Sequence, residues 1–367
     1  MFRSLGSNLP DFPWDSLVPF RQLAAQHVDG LVDLSVGTPI DPVPDVIQAA
    51  LVAAADSPGY PTTQGTPELR EAFVHWADRV LGVTGLSAEA VLPSIGSKEM
   101  VAWLPTLLGL GARDKVVIPE TAYPTYEVGA LLCGATPVRA DSLTQLGPSR
   151  PALLWLNSPS NPTGKVLGVE HLRKVVQWAR ERGVIVASDE CYIELGWDVE
   201  PISILHPDVC GDSHDNLLAI HSLSKRSNLA GYRAGFAAGD PELIAGLLNT
   251  RKHAGMMVAA PVQAAATAAL NDDDHVLVAR ARYEGRRRWL SRALVKAGFR
   301  IDESAAGLYL WATRDESCWD TVQWLAQRGI LVAPGDFYGP SGARHVRVAL
   351  TGTDERVSAA ADRLTEA

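Results

Sequence analysis

Short, almost wholly apolar runs alternate with amphipathic segments along much of this chain. Runs of four to six such residues are typical of strands buried on both faces of a sheet. Their alternation with segments of helical period predicts an α/β fold with a mostly parallel seven-stranded sheet flanked by helices. The runs lie at 91–94, 115–119, 136–140, 153–157, 184–189, 217–221 and 234–238.

Amphipathic segments of helical length separate these runs. One of them begins with Thr66 and Pro67, a hydroxyl side chain suited to cap a helix and a proline suited to its first position. This start predicts a helix over 67–81. Further helices are predicted at 45–55, 96–108, 123–133, 169–182 and 241–252.

The pattern changes after Met257, where strands and helices alternate without continuous buried runs. Such a mixture indicates a smaller α+β domain, to which an early strand at 32–36 can belong. We expect residues 1–40 to form an N-terminal arm and part of the small domain, 41–260 the large domain, and 261–367 the small C-terminal domain. The predicted elements of this last part are helices at 261–270, 275–297, 317–328 and 353–365 and strands at 299–301, 308–312, 330–333 and 345–350.

Composition narrows the classes of function. The 367 residues are 47% hydrophobic and 20% charged, as in ordinary globular proteins, and the net charge is −9. An acidic chain gives no electrostatic reason to bind nucleic acid or an anionic membrane, so neither is expected as a partner. No apolar run approaches the ~18 residues of a membrane span, and the N-terminus has no signal-like apolar stretch, which predicts a cytoplasmic protein. Four scattered cysteines without a Cys-x-x-Cys pair predict free thiols and no metal site.

A lysine follows one of the predicted buried strands. Ser222, Ser224 and Lys225 come directly after the run at 217–221, and Arg233 and Gly235 open the next run. The pKa of an amine falls in an enclosed site, where it can attack an aldehyde and form a Schiff base. An arginine and serine hydroxyls can hold a phosphate. The set predicts pyridoxal 5′-phosphate (PLP), although Ser-x-Ser-Lys alone would also fit a surface loop.

Two more polar features follow predicted strands. Gly96 and Ser97 open a helix, whose free N–H groups favour a phosphate, although an ordinary capping serine would look the same. Asp189 ends the run at 184–189, with Tyr192 three residues later. A carboxylate at a buried strand end needs a cation or donors, and the protonated nitrogen of a pyridine ring is such a cation. A helix-capping aspartate is the alternative.

Three further residues have two interpretations each. Asn161 lies in a polar turn with two prolines after the run at 153–157. A turn that only connects two elements would not need so many special residues, so a binding role is favoured over a simple connection. Tyr123 offers a ring face for stacking, or else belongs to the core. Arg347 interrupts an apolar strand, which indicates either a buried anionic ligand or an internal salt bridge.

Together these features resemble the fold-type I PLP-dependent aminotransferases of class I/II. The resemblance runs from the turn Gly37-Thr38-Pro39 to the strand of Arg347. It implies the fold-type I architecture and a homodimer with shared active sites. It rests most on Asn161-Pro162-Thr163-Gly164, Asp189-Glu190-x-Tyr192, and Ser222-x-Ser224-Lys225 with Arg233-x-Gly235.

The resemblance also implies a role for each residue. Lys225 binds PLP as a Schiff base and moves the substrate proton, Asp189 pairs with the ring nitrogen, and Tyr192 bonds the ring oxygen together with Asn161. Tyr123 stacks on the ring. Arg347, with Asn161 and the backbone of Gly37, holds the substrate α-carboxylate. The implied phosphate ligands are Gly96, Ser97, Lys98, Ser222, Ser224 and Arg233, with Tyr60 reaching the phosphate of the neighbouring subunit.

The stretch Gly96-Ser97-Lys98-Glu99 is similar to the lysine/diaminopimelate branch, and the compact chain resembles its actinobacterial N-succinyldiaminopimelate aminotransferases. The implied reaction moves an amino group between N-succinyl-LL-2,6-diaminopimelate and 2-oxoglutarate. An aspartate, aromatic or LL-diaminopimelate aminotransferase, or a PLP-dependent C–S lyase, are alternatives. A nicotinamide dehydrogenase is disfavoured, because Gly109-Leu110-Gly111 lacks the third glycine of its motif. The sequence does not rank the candidates for a second substrate carboxylate, which are Arg21, Arg251, Lys252 and Arg344.

Overall fold

A computed structural model of the chain describes residues 6 and 9–365. Their helices are α1 Val18–Ala24, α2 Asp45–Ala53, α3 Pro67–Leu81, α4 Ser97–Leu107, α5 Thr125–Leu132, α6 Leu143–Leu146, α7 Val169–Arg182, α8 Pro207–Cys210, α9 Leu223–Arg226, α10 Pro241–Ala254, α11 Ala260–Asn271, α12 Asp274–Lys296, α13 Cys318–Ala326 and α14 Asp354–Thr365. Their strands are β1 Val32–Asp33, β2 Val91–Ile95, β3 Lys115–Ile118, β4 Thr136–Arg139, β5 Leu153–Asn157, β6 Ile185–Asp189, β7 Leu217–Ser222, β8 Ala234–Gly239, β9 Arg300–Asp302, β10 Tyr309–Thr313, β11 Ile330–Leu331, β12 Ala333–Pro334 and β13 Val346–Ala349.

The seven predicted apolar runs form one sheet. Within the described residues its seven strands have the order β2-β8-β7-β6-β5-β3-β4. β8 is antiparallel to both of its neighbours, and the other pairs are parallel. Apolar clusters cover both faces, which is why these strands contain few polar residues. The predicted mostly parallel α/β sheet is confirmed.

Helix α3 shows how local sequence sets an element. The Thr66 hydroxyl accepts a 3.2 Å hydrogen bond from the N–H of Leu69, Pro67 is the first helical residue, and the helix ends at Gly82 with φ 64°. Both ends match the prediction. The buried side of α3 includes Phe73 and Trp76, which pack on the seven-stranded sheet.

A second, antiparallel sheet has the order β12-β13-β10-β9. The predicted strand at 330–333 is divided. Ile330 and Leu331 pair with β1, whereas Ala333 and Pro334 pair with β13 in the four-stranded sheet. The predicted domain boundaries stay a prediction. Helix α11 follows the predicted boundary at 260, and it packs against α2 and α3 in an apolar cluster on the seven-stranded sheet.

The N-terminal arm packs on this second layer. Residues 1–5 and 7–8 of the predicted arm lie outside the described part of the chain. The rest forms a 3₁₀ turn at Pro13–Leu17 followed by α1. The Trp14 ring lies 5.2 Å from the Phe337 ring, and Phe20 lies 5.5 Å from Trp319. None of the helices among the described residues has the length and apolar character that crossing a bilayer requires.

Candidate active site

The predicted site residues gather where strands of the large sheet end. Asn157 and Asp189 are paired in register at the ends of β5 and β6, and β7 ends beside them at Ser222. The carboxyl ends of parallel strands are where open α/β sheets bind ligands. The Asn157 side chain receives the N–H of Asn161 at 2.7 Å, which fixes the turn that carries Asn161.

Asp189 is a buried carboxylate without a cationic partner in the described part of the chain. Its Oδ2 accepts a 2.7 Å hydrogen bond from the Tyr126 hydroxyl, and its Oδ1 accepts the N–H of Cys191 at 3.2 Å. Burial raises the pKa of Asp189, while these hydrogen bonds oppose the rise. A cation placed here would stabilise the carboxylate, so the site suits the protonated nitrogen of a pyridine ring.

Lys225 lies on α9, directly after β7. The Ser222 side chain caps this short helix by accepting the N–H of Ser224 at 3.1 Å. The Lys225 ammonium donates a hydrogen bond to the carbonyl of Gly37. Burial lowers the pKa of Lys225, and the charges of Arg347 and Arg233 act in the same direction. The lowered pKa favours the uncharged amine that a nucleophile requires.

Arg233 and the start of α4 form an anion cradle. The guanidinium lies so close to Gly96, whose φ is 73°, that a side chain there would overlap it. Its hydrogen bonds go to the carbonyls of Ala230 at 2.8 Å and Ile95 at 3.4 Å, and no carboxylate of the described residues pairs with it. A Cβ on Gly235 would lie 2.7 Å from the backbone nitrogen of Ser97. Gly235 therefore lets β8 approach the free N–H groups of α4, where a phosphate fits.

Arg347 enters the site from β13 of the smaller sheet and is 3% exposed. Nη1 donates to Asn161 Oδ1 at 2.9 Å, and Nη2 donates to the Ser35 carbonyl at 2.7 Å. Nε–H has no partner, and no carboxylate within residues 6 and 9–365 pairs with the guanidinium. The predicted alternative of an internal salt bridge is therefore wrong. A buried, unpaired guanidinium is suited to hold a carboxylate of a ligand.

The comparisons with known proteins agree with this arrangement. A sequence model of the family described as aminotransferase class I and II matches residues 29–364. The chain belongs to this family. It is 66% identical over 361 residues to a probable aminotransferase of Mycobacterium tuberculosis, covering 98% of this chain and 86% of that protein. It is 58% identical over 357 residues to the 4-dedimethylamino-4-oxo-anhydrotetracycline transaminase OxyQ of Streptomyces rimosus, covering 97% and 99%.

Among solved structures, a probable N-succinyldiaminopimelate aminotransferase of Thermus thermophilus matches with a TM-score of 0.86 at 28% identity, covering 96% of this chain and 99% of that one. Class I and II aminotransferases use PLP. The aminotransferase described here has the donor set for it: an anion cradle, a lysine of lowered pKa and a buried carboxylate that lacks a cation.

Other predicted site residues differ in their placement. Tyr123 is half-buried, with its ring centre 5.9 Å from that of Tyr126, and burial raises its pKa to about 12. The Tyr192 hydroxyl lies 2.9 Å from the Tyr309 hydroxyl. Lys98 is exposed, and its ammonium lies 5.9 Å from the centre of the Phe12 ring rather than in the cradle. Tyr60 is 98% exposed, so the structure does not bring it to the other site residues of its own chain.

Sequence reasoning missed Tyr126, Tyr309 and Ser35. Tyr126 had a signal, because it lies three residues after Tyr123 on the predicted helix and thus faces the same way. No local sequence pattern pointed to Tyr309 or Ser35, since their hydrogen-bond partners are more than 100 residues away.

The four candidates for a second substrate carboxylate are placed elsewhere. Arg251 is buried and pairs with Glu99 at 2.6 Å, and Arg21 pairs with Asp33 at 2.5 Å. Arg344 donates to the carbonyl of Asp315, and Lys252 is exposed on α10.

Proposed function

We propose that this aminotransferase moves the amino group of an α-amino acid to a 2-oxo acid, each held by its α-carboxylate on Arg347. The observation that carries the proposal is the buried guanidinium with an unpartnered Nε–H, held toward Asn161 and Ser35. Both substrates of an amino transfer between such acids carry an α-carboxylate, so one clamp serves both half-reactions.

The other site residues are proposed to bind the cofactor and to move the substrate proton. Bound PLP supplies the electron sink that stabilises a carbanion at the substrate α-carbon. Asp189 would pair with the protonated nitrogen of the PLP ring, and Tyr123 would stack on that ring. Lys225, whose burial lowers its pKa, would take the proton from the substrate α-carbon and deliver it to the C4′ carbon of the cofactor, and the second half-reaction would move a proton in the opposite direction. Gly96, Ser97 and Arg233 would hold the phosphate of PLP.

For the donor we propose N-succinyl-LL-2,6-diaminopimelate, with 2-oxoglutarate as the acceptor, in lysine biosynthesis in the cytoplasm. The likeness of Gly96-Ser97-Lys98-Glu99 to that branch and the match to the Thermus thermophilus structure support this choice.

A second candidate is amino transfer to a ring ketone of a polyketide. It is favoured by the 58% identity to OxyQ, whose name gives a 4-oxo-anhydrotetracycline as its substrate. Such an acceptor presents no α-carboxylate, so Arg347 would hold only the amino donor.

The experiment is a panel of single half-reactions. The PLP-loaded protein is mixed with one amine at a time, and the loss of its visible absorption is followed. The panel contains N-succinyl-LL-2,6-diaminopimelate, LL-diaminopimelate, aspartate, phenylalanine and glutamate, and Lys225→Ala is the inactive control. We expect the succinylated donor to give the highest kcat/KM. If aspartate or phenylalanine equals it, the substrate assignment is wrong and the amino transfer stands. With cystathionine as a further amine, release of homocysteine, pyruvate and ammonia without an acceptor would instead indicate a C–S lyase.

We also propose a homodimer with shared active sites. Tyr60 supports it, because a fully exposed tyrosine in the loop between α2 and α3 can reach a neighbouring subunit. Mixing Tyr60→Phe with Lys225→Ala subunits gives heterodimers in which one site keeps both residues, so activity should return on mixing. An active monomer in sedimentation would contradict this proposal.

A further inference from the structure

Tyr309 occupies a central position in the site although no motif points to it. It lies on β10, where strand alternation puts it on the same face as Trp311, the residue paired with Arg347 across the ladder. It is 3% exposed, its ring contacts the Arg347 guanidinium, and its hydroxyl lies against Tyr192 and Gly37.

Three contacts define this position. The guanidinium carbon of Arg347 lies 4.0 Å from the centre of the Tyr309 ring, a cation–π contact. The Tyr309 hydroxyl lies 2.9 Å from the Tyr192 hydroxyl. It also lies against Gly37, where a Cβ would overlap the hydroxyl, and the Gly37 carbonyl is the one that receives the Lys225 ammonium.

The two hydroxyls share one hydrogen bond, in which either oxygen can be the donor. Burial alone would raise the pKa of Tyr309, but Arg347 and Lys225 outweigh it, and the pKa lies below its usual value. Burial and the neighbouring Tyr309 raise the pKa of Tyr192 well above its usual value. A Tyr192 O–H that donates to a ligand has only its oxygen left for Tyr309, so in that state Tyr309 is the donor of the 2.9 Å hydrogen bond.

We propose that Tyr309 is a positioning residue: its hydroxyl holds the Tyr192 O–H toward the ring oxygen of PLP, and its ring holds the Arg347 guanidinium. The inference rests on the proposed PLP-dependent function and on the role that the family resemblance implies for Tyr192 as the donor to that oxygen. Two substitutions separate the two contacts. Tyr309→Phe keeps the ring and removes the hydroxyl, whereas Tyr309→Leu removes both.

The test measures the pH midpoint of the visible absorption of the PLP-loaded protein, together with kcat and KM. Without the Tyr309 donor, Tyr192 stabilises the negative ring oxygen less, so the midpoint should rise by roughly half a unit or more in Tyr309→Phe. We expect kcat to fall about 5-fold, as for one lost hydrogen bond, with KM for the amino donor within about 2-fold. Tyr309→Leu should raise KM about 10-fold in addition.

Tyr338→Phe is the matched control. Its ring centre lies 5.1 Å from the Arg347 guanidinium carbon, and its buried hydroxyl makes no hydrogen bond in the described part of the chain. Removal of the Tyr338 hydroxyl should leave the pH midpoint of the visible absorption unchanged. Tyr192→Phe should shift the midpoint as Tyr309→Phe does, and the double variant should be no worse than Tyr192→Phe, because the two hydroxyls act in series.

Additive effects, or a Tyr309→Phe protein with the wild-type midpoint, would overturn the inference. A Tyr309→Phe chain that no longer folds would also contradict it, since the residue would then serve stability. If the wild-type protein takes up no PLP, the proposed function fails instead, so the two failures are distinguishable.

Discussion

Arg347 and Asn161 are joined by a 2.9 Å hydrogen bond across the gap between the two sheets. Arg347 belongs to β13 of the smaller sheet, and Asn161 follows β5 of the larger one. The proposed carboxylate clamp is therefore assembled from both layers, and it exists only when they are packed together.

Substitution of Arg347 should damage both half-reactions. Arg347→Ala removes the buried partner of the substrate carboxylate, which should cost roughly 2–5 kcal/mol in kcat/KM. Arg347→Lys should restore only part of it, because a point charge does not reproduce the planar fork. Steady-state kinetics with each substrate varied in turn measure both. Arg344→Ala, an exposed neighbour that donates to the Asp315 carbonyl, is the control and should match the wild type.

Loss of the Tyr126 hydroxyl should weaken PLP binding. Tyr126→Phe removes one of the hydrogen bonds that hold Asp189 ionised, so the pKa of Asp189 should rise further. A hydrogen bond to a charged group contributes about 1.5–3 kcal/mol, which predicts a PLP dissociation constant roughly 10- to 150-fold higher. Tyr283→Phe, whose hydroxyl contacts Asn228 at 3.3 Å, is the control. Equal affinities of the two variants would show that Tyr126 does not support Asp189.

A side chain at Gly235 should displace the start of α4. The Cβ of Gly235→Ala would lie 2.7 Å from the Ser97 nitrogen and 2.9 Å from the Gly96 carbonyl carbon, both backbone atoms. We expect PLP affinity to fall about 10-fold or more, since the phosphate cradle is formed there. Gly246→Ala on α10 has nothing within 4 Å of its Cβ; it should keep PLP affinity and raise stability by up to ~1 kcal/mol. An unchanged cradle in Gly235→Ala, seen as wild-type PLP affinity, would contradict the explanation of the Arg233-x-Gly235 spacing.

Glu190 should make stability fall as the pH rises. Burial raises its pKa to about 7, its Oε1 accepts the Ile204 N–H at 2.8 Å, and Oε2 lies 3.5 Å from Nε2 of the buried His221. A carboxyl that is protonated in the folded state but ionised in the unfolded state stabilises the fold below its unfolded pKa. That stability is lost as the pH rises from about 4.5 through about 7.

His221 opposes this trend in the wild type, because burial lowers its pKa to about 3, and stability from this group falls as the pH drops below about 6.5. The comparison with Glu190→Gln isolates the glutamate. Relative to this variant, the wild type should lose on the order of 3 kcal/mol of its free energy of unfolding between pH 4.5 and pH 8, as measured by urea denaturation. If the free energies of unfolding of the two proteins changed in parallel with pH, the raised pKa of Glu190 would be contradicted.

The sequence by itself determined the elements and the order of the motifs. The strands of the larger sheet could be predicted because they are buried on both faces and thus apolar throughout, as 153–157 illustrates. The ends of α3 could be predicted because a capping threonine and a terminal glycine act within a few residues. The positions of Asp189, Lys225 and Arg233 followed from their spacing to strand ends.

Only the tertiary structure decided which distant residues meet. The run 330–333 looked like one strand, yet its two halves belong to different sheets. The first half pairs with β1, 298 residues away, whereas Ala333 pairs with Arg347 of β13. Tyr309, Ser35 and the pairing of Tyr126 with Asp189 left little local pattern, since a hydrogen bond between remote segments constrains neither segment's periodicity. Lys98 shows the converse: its motif indicated a phosphate ligand, but its side chain extends over Phe12 of the N-terminal arm. Local sequence records burial and hydrogen bonds within a segment, and the active site depends on contacts between segments.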